Sequence, residues 1–406
     1  MNQIANQLIV RKLNTATVLE TLRNLAPISR AELSTNIGLN RSTISSIIQQ
    51  LMDLHFVQET TLQEDRIGRP AMPLELNPHA GFAIGLEINV DYITAIMVDF
   101  SGNSHRKLHQ TTNAEMNQHE VLMTAIQLTS ELCEFGRDRG YPLFGIGIGL
   151  PGLVDPYLGK LVYAQNIGWR NLDIGKIFFT QFNVPILVEN EANCCALGEF
   201  RYGTAKDISD FIYLSSSAGM GGGIMIKGEL LRGNEGFAGE IGHIVINDEG
   251  NLCSCGRKGC WETYVAPQEV VKGVRQVLSM GADSQLNKIM GGDQSSLTFQ
   301  QVIDAAQTGD AIALKAIQDL GSHLATGILN LVQLFNPEQI ILGGAFGESS
   351  TLLIPQIKTY MDEYFRVWPA RTVSIAPSIL GLDACSIGAA TLVIDQVVRD
   401  PLNWLH

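Results

Sequence analysis

The stretch Gly239–Glu262, GEIGHIVINDEGNLCSCGRKGCWE, sets His243, Cys253, Cys255 and Cys260 where one imidazole and three thiolates can close on a single zinc ion. Zinc favours a tetrahedral shell of such ligands, and four protein ligands leave no open position for a catalytic water. The spacing therefore predicts a structural Zn2+ rather than a reactive one. Three of the seven cysteines fall between residues 253 and 260, a density that a Gly-rich loop does not produce by chance. Glu240 and Glu262 bracket the ligands, so a folded zinc loop would hold two carboxylates and an imidazole in fixed relation.

Outward from that loop, the length of 406 residues exceeds what one hydrophobic core usually serves and predicts two or three domains. No run of about 18 apolar residues is evident, and Arg11, Lys12 and Arg23 interrupt the first thirty residues, which argues against a membrane span and a signal peptide. A cytoplasmic location is expected. Cys133, Cys194, Cys195 and Cys385 read as small buried residues rather than a disulfide framework. The net charge of −13 speaks against a protein coated in nucleic acid. Up to His79, however, Arg11, Lys12, Arg23, Arg30, Arg41, Arg66 and Arg69 balance Glu20, Glu32, Asp53, Glu59, Glu64, Asp65 and Glu75. The acid excess lies beyond His79, and a neutral head is compatible with local DNA contact.

The head has its own pattern. Val18, Leu19, Leu22 and Leu25 recur at helical spacing within 14–25, and Pro27 stops that helix. Ser29 and Glu32 predict a capping box for a second helix that runs to Ile37 and turns at Gly38. Asn40 caps a third, in which Ile44, Ile47, Ile48, Leu51 and Leu54 form one apolar stripe. Arg41, Ser42, Thr43, Ser45, Ser46 and Gln49 lie outside that stripe, the short hydroxyls and fork-shaped guanidinium that a recognition helix brings to a major groove. Strands at Phe56–Thr61 and Leu74–Leu76 would complete a wing. Between them Arg66-Ile67-Gly68-Arg69-Pro70 is narrow and extended, suited to placing Arg69 in an A·T-rich minor groove. The residues expected at DNA are Arg30, Arg41, Ser42, Thr43, Ser45, Ser46, Arg66 and Arg69.

From Ala83 the pattern changes to strands with Gly-rich turns. Phe82–Ile88 and Tyr92–Asp99 alternate as a hairpin would, and Gly145–Gly149 is a buried strand ending in Leu150-Pro151-Gly152. Ile186–Val188 leads into Glu189-Asn190-Glu191-Ala192-Asn193 and a helix through Phe200. Phe211–Leu214 and Gly222–Ile226 flank the loop Ser217-Ala218-Gly219-Met220-Gly221. With the zinc segment, Leu334-Phe335-Asn336-Pro337 and Ile340–Gly344, these stretches resemble the ROK family of sugar kinases and repressors, over essentially everything after the head. The fold implied is α/β, an N-terminal winged helix-turn-helix followed by a two-lobed, actin/hexokinase-like body. The divisions expected are 1–80 for the head and linker, 81–188 for the first lobe, and 189–406 for the second lobe with a C-terminal helix returning to the first.

Against the family's kinases the chain departs at three places. Where their first phosphate loop reads Asp-x-Gly-Gly-Thr, Glu87-Ile88-Asn89-Val90-Asp91 stands here, without the glycines that admit a phosphate to the backbone and with an added carboxylate. The second loop has Ser217-Ala218-Gly219 for Gly-Thr-Gly, and Glu191 takes the position of the catalytic aspartate. The extra methylene displaces the carboxylate by roughly 1 to 1.5 Å, and a misplacement of about 1 Å can cost on the order of a hundredfold in rate. No phosphoryl transfer is expected, hence no catalytic residues. The resemblance assigns sugar contacts to Gly152, Asn166, Asn190, Glu191, Glu240, His243 and Glu262, with one ring nitrogen of His243 on zinc and the other toward a hydroxyl.

Within the family, Pro27-Ile28-Ser29-Arg30-Ala31, Gly38-Leu39-Asn40 and Glu189-Asn190-Glu191-Ala192-Asn193 look most like the xylose repressors. That resemblance implies operator DNA and a monosaccharide effector, D-xylose, as partners, in a homodimer or homotetramer, with sugar closing the lobes and releasing the operator. Two other readings stand beside it. One is a ROK repressor responding to glucose, an amino sugar or a protein partner; the other is an active ROK sugar kinase.

Overall fold

The computed structural model describes residues 2–60, 72–112, 116–217, 219–290, 296–366 and 373–404. Its head holds three helices, α1 (Asn2–Leu25), α2 (Arg30–Ile37) and α3 (Arg41–Asp53), then an antiparallel pair, β1 (Val57–Glu59) with β2 (Leu74–Leu76). Local chemistry sets these bounds. Ser29 Oγ accepts from Glu32 N while Glu32 accepts from Ser29 N, the reciprocal capping box, and Gly38 ends α2 at φ 78° in the left-handed region. Asn40 Oδ1 accepts from Thr43 N at 2.8 Å and starts α3, whose Ile44, Ile47, Ile48 and Leu51 are buried. Two expectations need correction. The first helix starts well before Asn14, and Leu25 is 51 % exposed, because α1 ends there and its last side chain projects past the core.

The chain divides into two compact units. The first comprises 1–148, 175–187 and 389–406, and the second 149–174 and 188–388. The units change over at 187/188, and the excursion 149–174, between two strands of one sheet, counts with the second unit. In the first unit β3 (Phe82–Ile88), β4 (Tyr92–Asp99) and β5 (Ser104–Thr111) form an antiparallel meander, each strand paired with its predecessor. Helix α4 (Gln118–Arg137) follows, capped by Asn117 and Glu120, and β6 (Leu143–Leu150) enters the sheet beside β3. After β7 (Leu153–Asp155), β8 (Lys160–Ala164), β9 (Trp169–Leu172) and α5 (Ile174–Phe182) comes β10 (Ile186–Asn190), giving the sheet order β10-β6-β3-β4-β5.

The second unit repeats that order. After α6 (Glu191–Tyr202), β11 (Phe211–Ser216), β12 (Met220–Ile226) and β13 (Glu229–Leu230) meander antiparallel. A helical insertion follows: α7 (Glu262–Val265), α8 (Pro267–Ser279), α9 (Leu286–Met290), α10 (Phe299–Gln307) and α11 (Ala311–Phe335). Then β14 (Gln339–Leu342), α12 (Ala345–Glu348), α13 (Ser350–Phe365) and β15 (Ser374–Pro377) complete a sheet ordered β13-β12-β11-β14-β15, the last three strands parallel. The same order in both sheets, three meandering strands and two crossover strands, is an internal structural duplication. Trp261, fully buried, anchors the insertion beside Leu320, Leu324 and Ile328, and its indole N–H donates to His323 O at 2.9 Å.

The last helix, α14 (Ala384–Arg399), corrects a reading of the sequence. Residues 381–399 are long and apolar enough to cross a membrane by length and composition, although Asp383 and Asp395 disguise the run. In the fold 61 % of that stretch is buried, with Ala389, Val393, Ile394 and Val397 inaccessible, so it is a core helix. The sequence Gly145-Ile146-Gly147 of β6 makes room for it. A Cβ on Gly147 would stand 1.8 Å from Ala389 O, so strand and helix meet backbone to backbone. Cys133, Cys194, Cys195 and Cys385 are buried and form no disulfide, in line with their reading as small buried residues.

Candidate functional site

All seven residues assigned to sugar lie in the second unit, and the turn into α6 organises them. Asn190 is the N-cap of α6, its Oδ1 accepting from Ala192 N at 2.8 Å and Asn193 N at 3.3 Å, while its Nδ2 donates to Gly152 O at 2.9 Å. Gly152 has φ 90°, and a Cβ there would lie 2.4 Å from Tyr163 O, so no other residue fits the bend. Glu191 follows Asn190 as the first residue of α6 and is half-buried.

Under this turn sits a carboxylate that sequence reasoning missed. Glu189 is 1 % exposed and accepts from Asn190 N at 3.0 Å, from Asn193 Nδ2 at 3.0 Å and from Arg232 Nε at 2.7 Å. Arg232 O in turn accepts from Ala238 N at 3.0 Å, closing the loop that carries Glu240. One ion pair thereby ties the Asn190-Glu191 turn to the Glu240 loop. Glycine recurring at 233, 236 and 239, each with positive φ, was the available signal for that loop. Gly152, Asn190, Gly222, Gly236, Ala238 and Glu240 are among the residues lining a cavity of about 270 Å3, its open mouth included. Only about 10 Å3 of it is open to the centre of a water molecule, so the cleft is narrow as it stands.

Beyond Glu240 the chain forms the loop predicted to hold zinc. Ile246 N donates to Gly259 O, Gly259 N to Asn251 O and Cys253 N to Arg257 O, a short ladder that brings 243–246 and 251–260 together. The donor atoms of His243, Cys253, Cys255 and Cys260 all lie within 4.8 Å of one another. Cys255 Sγ to Cys260 Sγ is 3.6 Å, and Cys253 Sγ to His243 Nδ1 is 3.5 Å. Tetrahedral zinc, with Zn–S about 2.3 Å and Zn–N about 2.0–2.1 Å, requires edges of roughly 3.8 and 3.5 Å. The residues present fit the metal. Desolvation disfavours the Cys255 thiolate, but hydrogen bonds from Arg257, Cys253 and Cys260 outweigh it and lower its pKa to about 6. Desolvation pushes Cys253 up to about 12, so a cation is what would allow the set to ionise together.

The residues expected at zinc and those expected at sugar have His243 in common. His243 Nδ1, on the cysteine side, is 3.5 Å from Glu262 Oε1, and its Nε2 is 3.9 Å from Glu240 Oε2. Desolvation raises the Glu240 carboxyl pKa, with His243 opposing and Glu262 adding to the rise. A Cβ on Gly219 would lie 3.2 Å from Glu262 Oε2 and 3.5 Å from Asn166 Nδ2, which places those two side chains together at the β11–β12 turn. Gln165, beside Asn166, donates from Nε2 to Ser254 O in the zinc loop at 3.1 Å. Gly152, Asn190 and Glu240 thus line the cavity, Glu240, His243 and Glu262 form a chain, and Asn166 and Glu262 both border Gly219.

In the first unit the segment Glu87–Asp91 is closed on itself. Glu87, 3 % exposed, accepts at Oε1 from Asn89 Nδ2 at 2.9 Å and from Tyr92 Oη at 2.8 Å. Asn89 Oδ1 accepts from Val90 N at 2.7 Å. In the head Arg41, Ser42, Ser45 and Ser46 are exposed on α3 and Thr43 is half-buried at the cap. Arg30 is turned to Glu59 of β1 at 2.8 Å, and Arg66 and Arg69 lie outside the described residues.

The chain is similar to known proteins over most or nearly all of its length. The chain is 35% identical to the xylose repressor of Bacillus spizizenii over 396 residues, 97% of this chain and 98% of that one. It matches the crystal structure of a ROK family transcriptional regulator, a homologue of the Escherichia coli MLC protein, with TM-score 0.82 and 28% identity over 97% and 98% of the two chains. A ROK family glucokinase from Streptomyces griseus, solved with glucose and AMPPNP, matches with TM-score 0.68 and 28% identity over 77% of this chain and 99% of its own. The ROK family profile covers residues 83–396, including both sheets, the Asn190 turn and the four metal ligands, and the chain belongs to the ROK family.

Proposed function

We propose that this protein is a sugar-responsive transcriptional repressor that holds operator DNA through its head and is released by an aldose, D-xylose, without phosphorylating it. It works as a homodimer or homotetramer in the cytoplasm, with structural Zn2+ in the 243–260 loop. One observation carries the reading away from a kinase: Asn89 and Val90 stand where the family's kinases have the two glycines of the phosphate loop, with Asn89 Nδ2 donating to Glu87 Oε1 at 2.9 Å and Asn89 Oδ1 accepting from Val90 N at 2.7 Å. A loop whose Val90 amide is already bonded and that adds the exposed Asp91 carboxylate does not cradle a polyphosphate. Support for the regulator comes from the head, whose α3 leaves Arg41, Ser42, Ser45 and Ser46 exposed for a major groove, and from repressors similar over nearly the whole chain.

In this reading Asn190, Glu191, Glu240, His243 and Glu262 supply directional acceptors and donors for sugar hydroxyls. Glu191 discriminates. A pentopyranose lacks the hydroxymethyl group of a hexose, and the longer side chain fills the space that group would take. Glu191→Asp is expected to raise glucose affinity by roughly tenfold or more relative to xylose, the scale set by one methylene in a fitted pocket, measured by isothermal titration. Tighter glucose than xylose binding by the wild type sinks the argument. The repressor itself is tested by a mobility shift on the cognate promoter fragment: xylose should weaken the complex, whereas unchanged affinity refutes induction by this sugar. ATP-dependent turnover of an aldose, abolished by Glu191→Ala, would restore the kinase.

A further inference from the structure

A continuous set of backbone and ionic contacts joins the sugar-binding turn to the recognition helix, and it runs through α14. In the second unit α6, which begins at Asn190 and Glu191, crosses the start of α14 with nothing between the backbones. A Cβ on Gly388 would stand 1.7 Å from Cys194 O and 3.0 Å from Gly198 N, and one on Gly198 would stand 2.6 Å from Ala384 O. Helices in such contact shift together, since no side chain is there to absorb a displacement. The residues Ala384–Gly388 count with the second unit and Ala389–Arg399 with the first.

At its other end α14 is paired with the head. Asp395 accepts from Arg23 of α1, a pair whose side chains are 12 % and 6 % exposed, and Asp400, just past the helix, accepts from Lys12 of α1. An ion pair so buried fixes register, because sliding either helix would leave a desolvated charge uncompensated. From α1, Arg11 Nη2 donates to Gln50 Oε1 of α3 at 2.7 Å. Helix α1 is therefore held to α14 by Arg23, to the residue just past it by Lys12, and to α3 by Arg11.

We infer that Arg23 and Asp395 are positioning residues for the response to effector, linking α14 to the head so that a displacement of α6 on sugar binding reaches α3. The inference rests on the sugar-responsive reading given above. It requires only that sugar bind better to one of two arrangements of α6 and α14.

The test compares operator affinity with and without D-xylose in the wild type, Asp395→Asn, Arg23→Gln and the charge-swapped double variant Arg23→Asp/Asp395→Arg, with xylose Kd measured on each by titration. Gly388→Ala, the obvious way to cut the α6 contact, meets a backbone oxygen and is avoided because it would prevent folding. Coupled sites typically change affinity about 5–150-fold. The single variants should keep xylose Kd within about twofold, while the ratio of operator affinities with and without sugar collapses to within about twofold of unity; the double variant should recover at least a third of it. A merely structural pair would lower stability and leave that ratio untouched. Single variants that fold, bind xylose and keep the full ratio overturn the inference alone. A wild type whose operator affinity ignores xylose overturns the sugar-responsive reading and the inference with it.

Discussion

Cys260→Ser, or removal of the metal by a chelator, is expected to weaken xylose binding at least about a hundredfold while changing operator affinity in the absence of sugar by less than about threefold. Cys260 is fully buried, and it shares the metal set with His243, whose other nitrogen faces Glu240. Without a closed ligand set the 251–260 ladder has no fixed end, and Cys253, Glu262 and His243, now within 3.1 to 3.5 Å of one another, are free to rearrange. In the proposed sugar site two charge-assisted bonds, to His243 and Glu262, would then be misaimed. At roughly 1.5–3 kcal/mol each, and about 1.4 kcal/mol per factor of ten, their loss amounts to about 10²–10⁴ in Kd. The head contributes no ligand, which is why DNA contact should survive. Titration calorimetry with D-xylose beside a mobility shift separates the two effects, and unchanged sugar affinity after stoichiometric metal loss would falsify the bracing role.

Arg232→Met should be the most damaging single change away from the zinc loop. Its guanidinium is the cationic partner of Glu189, whose side chain is 1 % exposed, and removing it strands that carboxylate in the interior. Breaking a buried pair in this way costs roughly 3–5 kcal/mol; since Arg232 is itself 31 % exposed, the lower end applies. For a unit of this size about 3 kcal/mol corresponds to a Tm loss of about 6–12 °C. Sugar affinity should fall as well, because the same pair holds the Glu240 loop against the Asn190 turn. The double variant Arg232→Met/Glu189→Leu removes both charges, and should regain most of the Tm without regaining xylose affinity. A scan in which Arg232→Met melts with the wild type would mean that the pair contributes nothing to stability.

Much of this site is legible in the chain without its fold, and the legible part is short in range. A metal set within eighteen residues, a capping box spanning four and a hairpin with alternating strands are written in local spacing, because ligand geometry, helix ends and strand pleat repeat over a few residues. Glu189 belongs visibly to the sugar loop, yet its role as the hub beneath that loop is not legible, because its partner Arg232 stands 43 residues away. Leu25 fails for the complementary reason: periodicity gives a face, whereas exposure depends on what packs against that face.

Residue order and spacing are enough to specify the cluster of His243, Cys253, Cys255 and Cys260, the caps that start the second and third helices, the strand hairpin and the family. Packing in three dimensions was needed to establish that two sheets share one strand order, that the apolar run 381–399 is a core helix, and that this helix is paired with the head through Arg23 and Asp395, 372 residues apart. The physical reason is common to all three. Glycines in β6, α6 and α14 leave room for backbone-to-backbone contact, and a burial so close is set by the shape of both partners, which no periodicity within either one encodes.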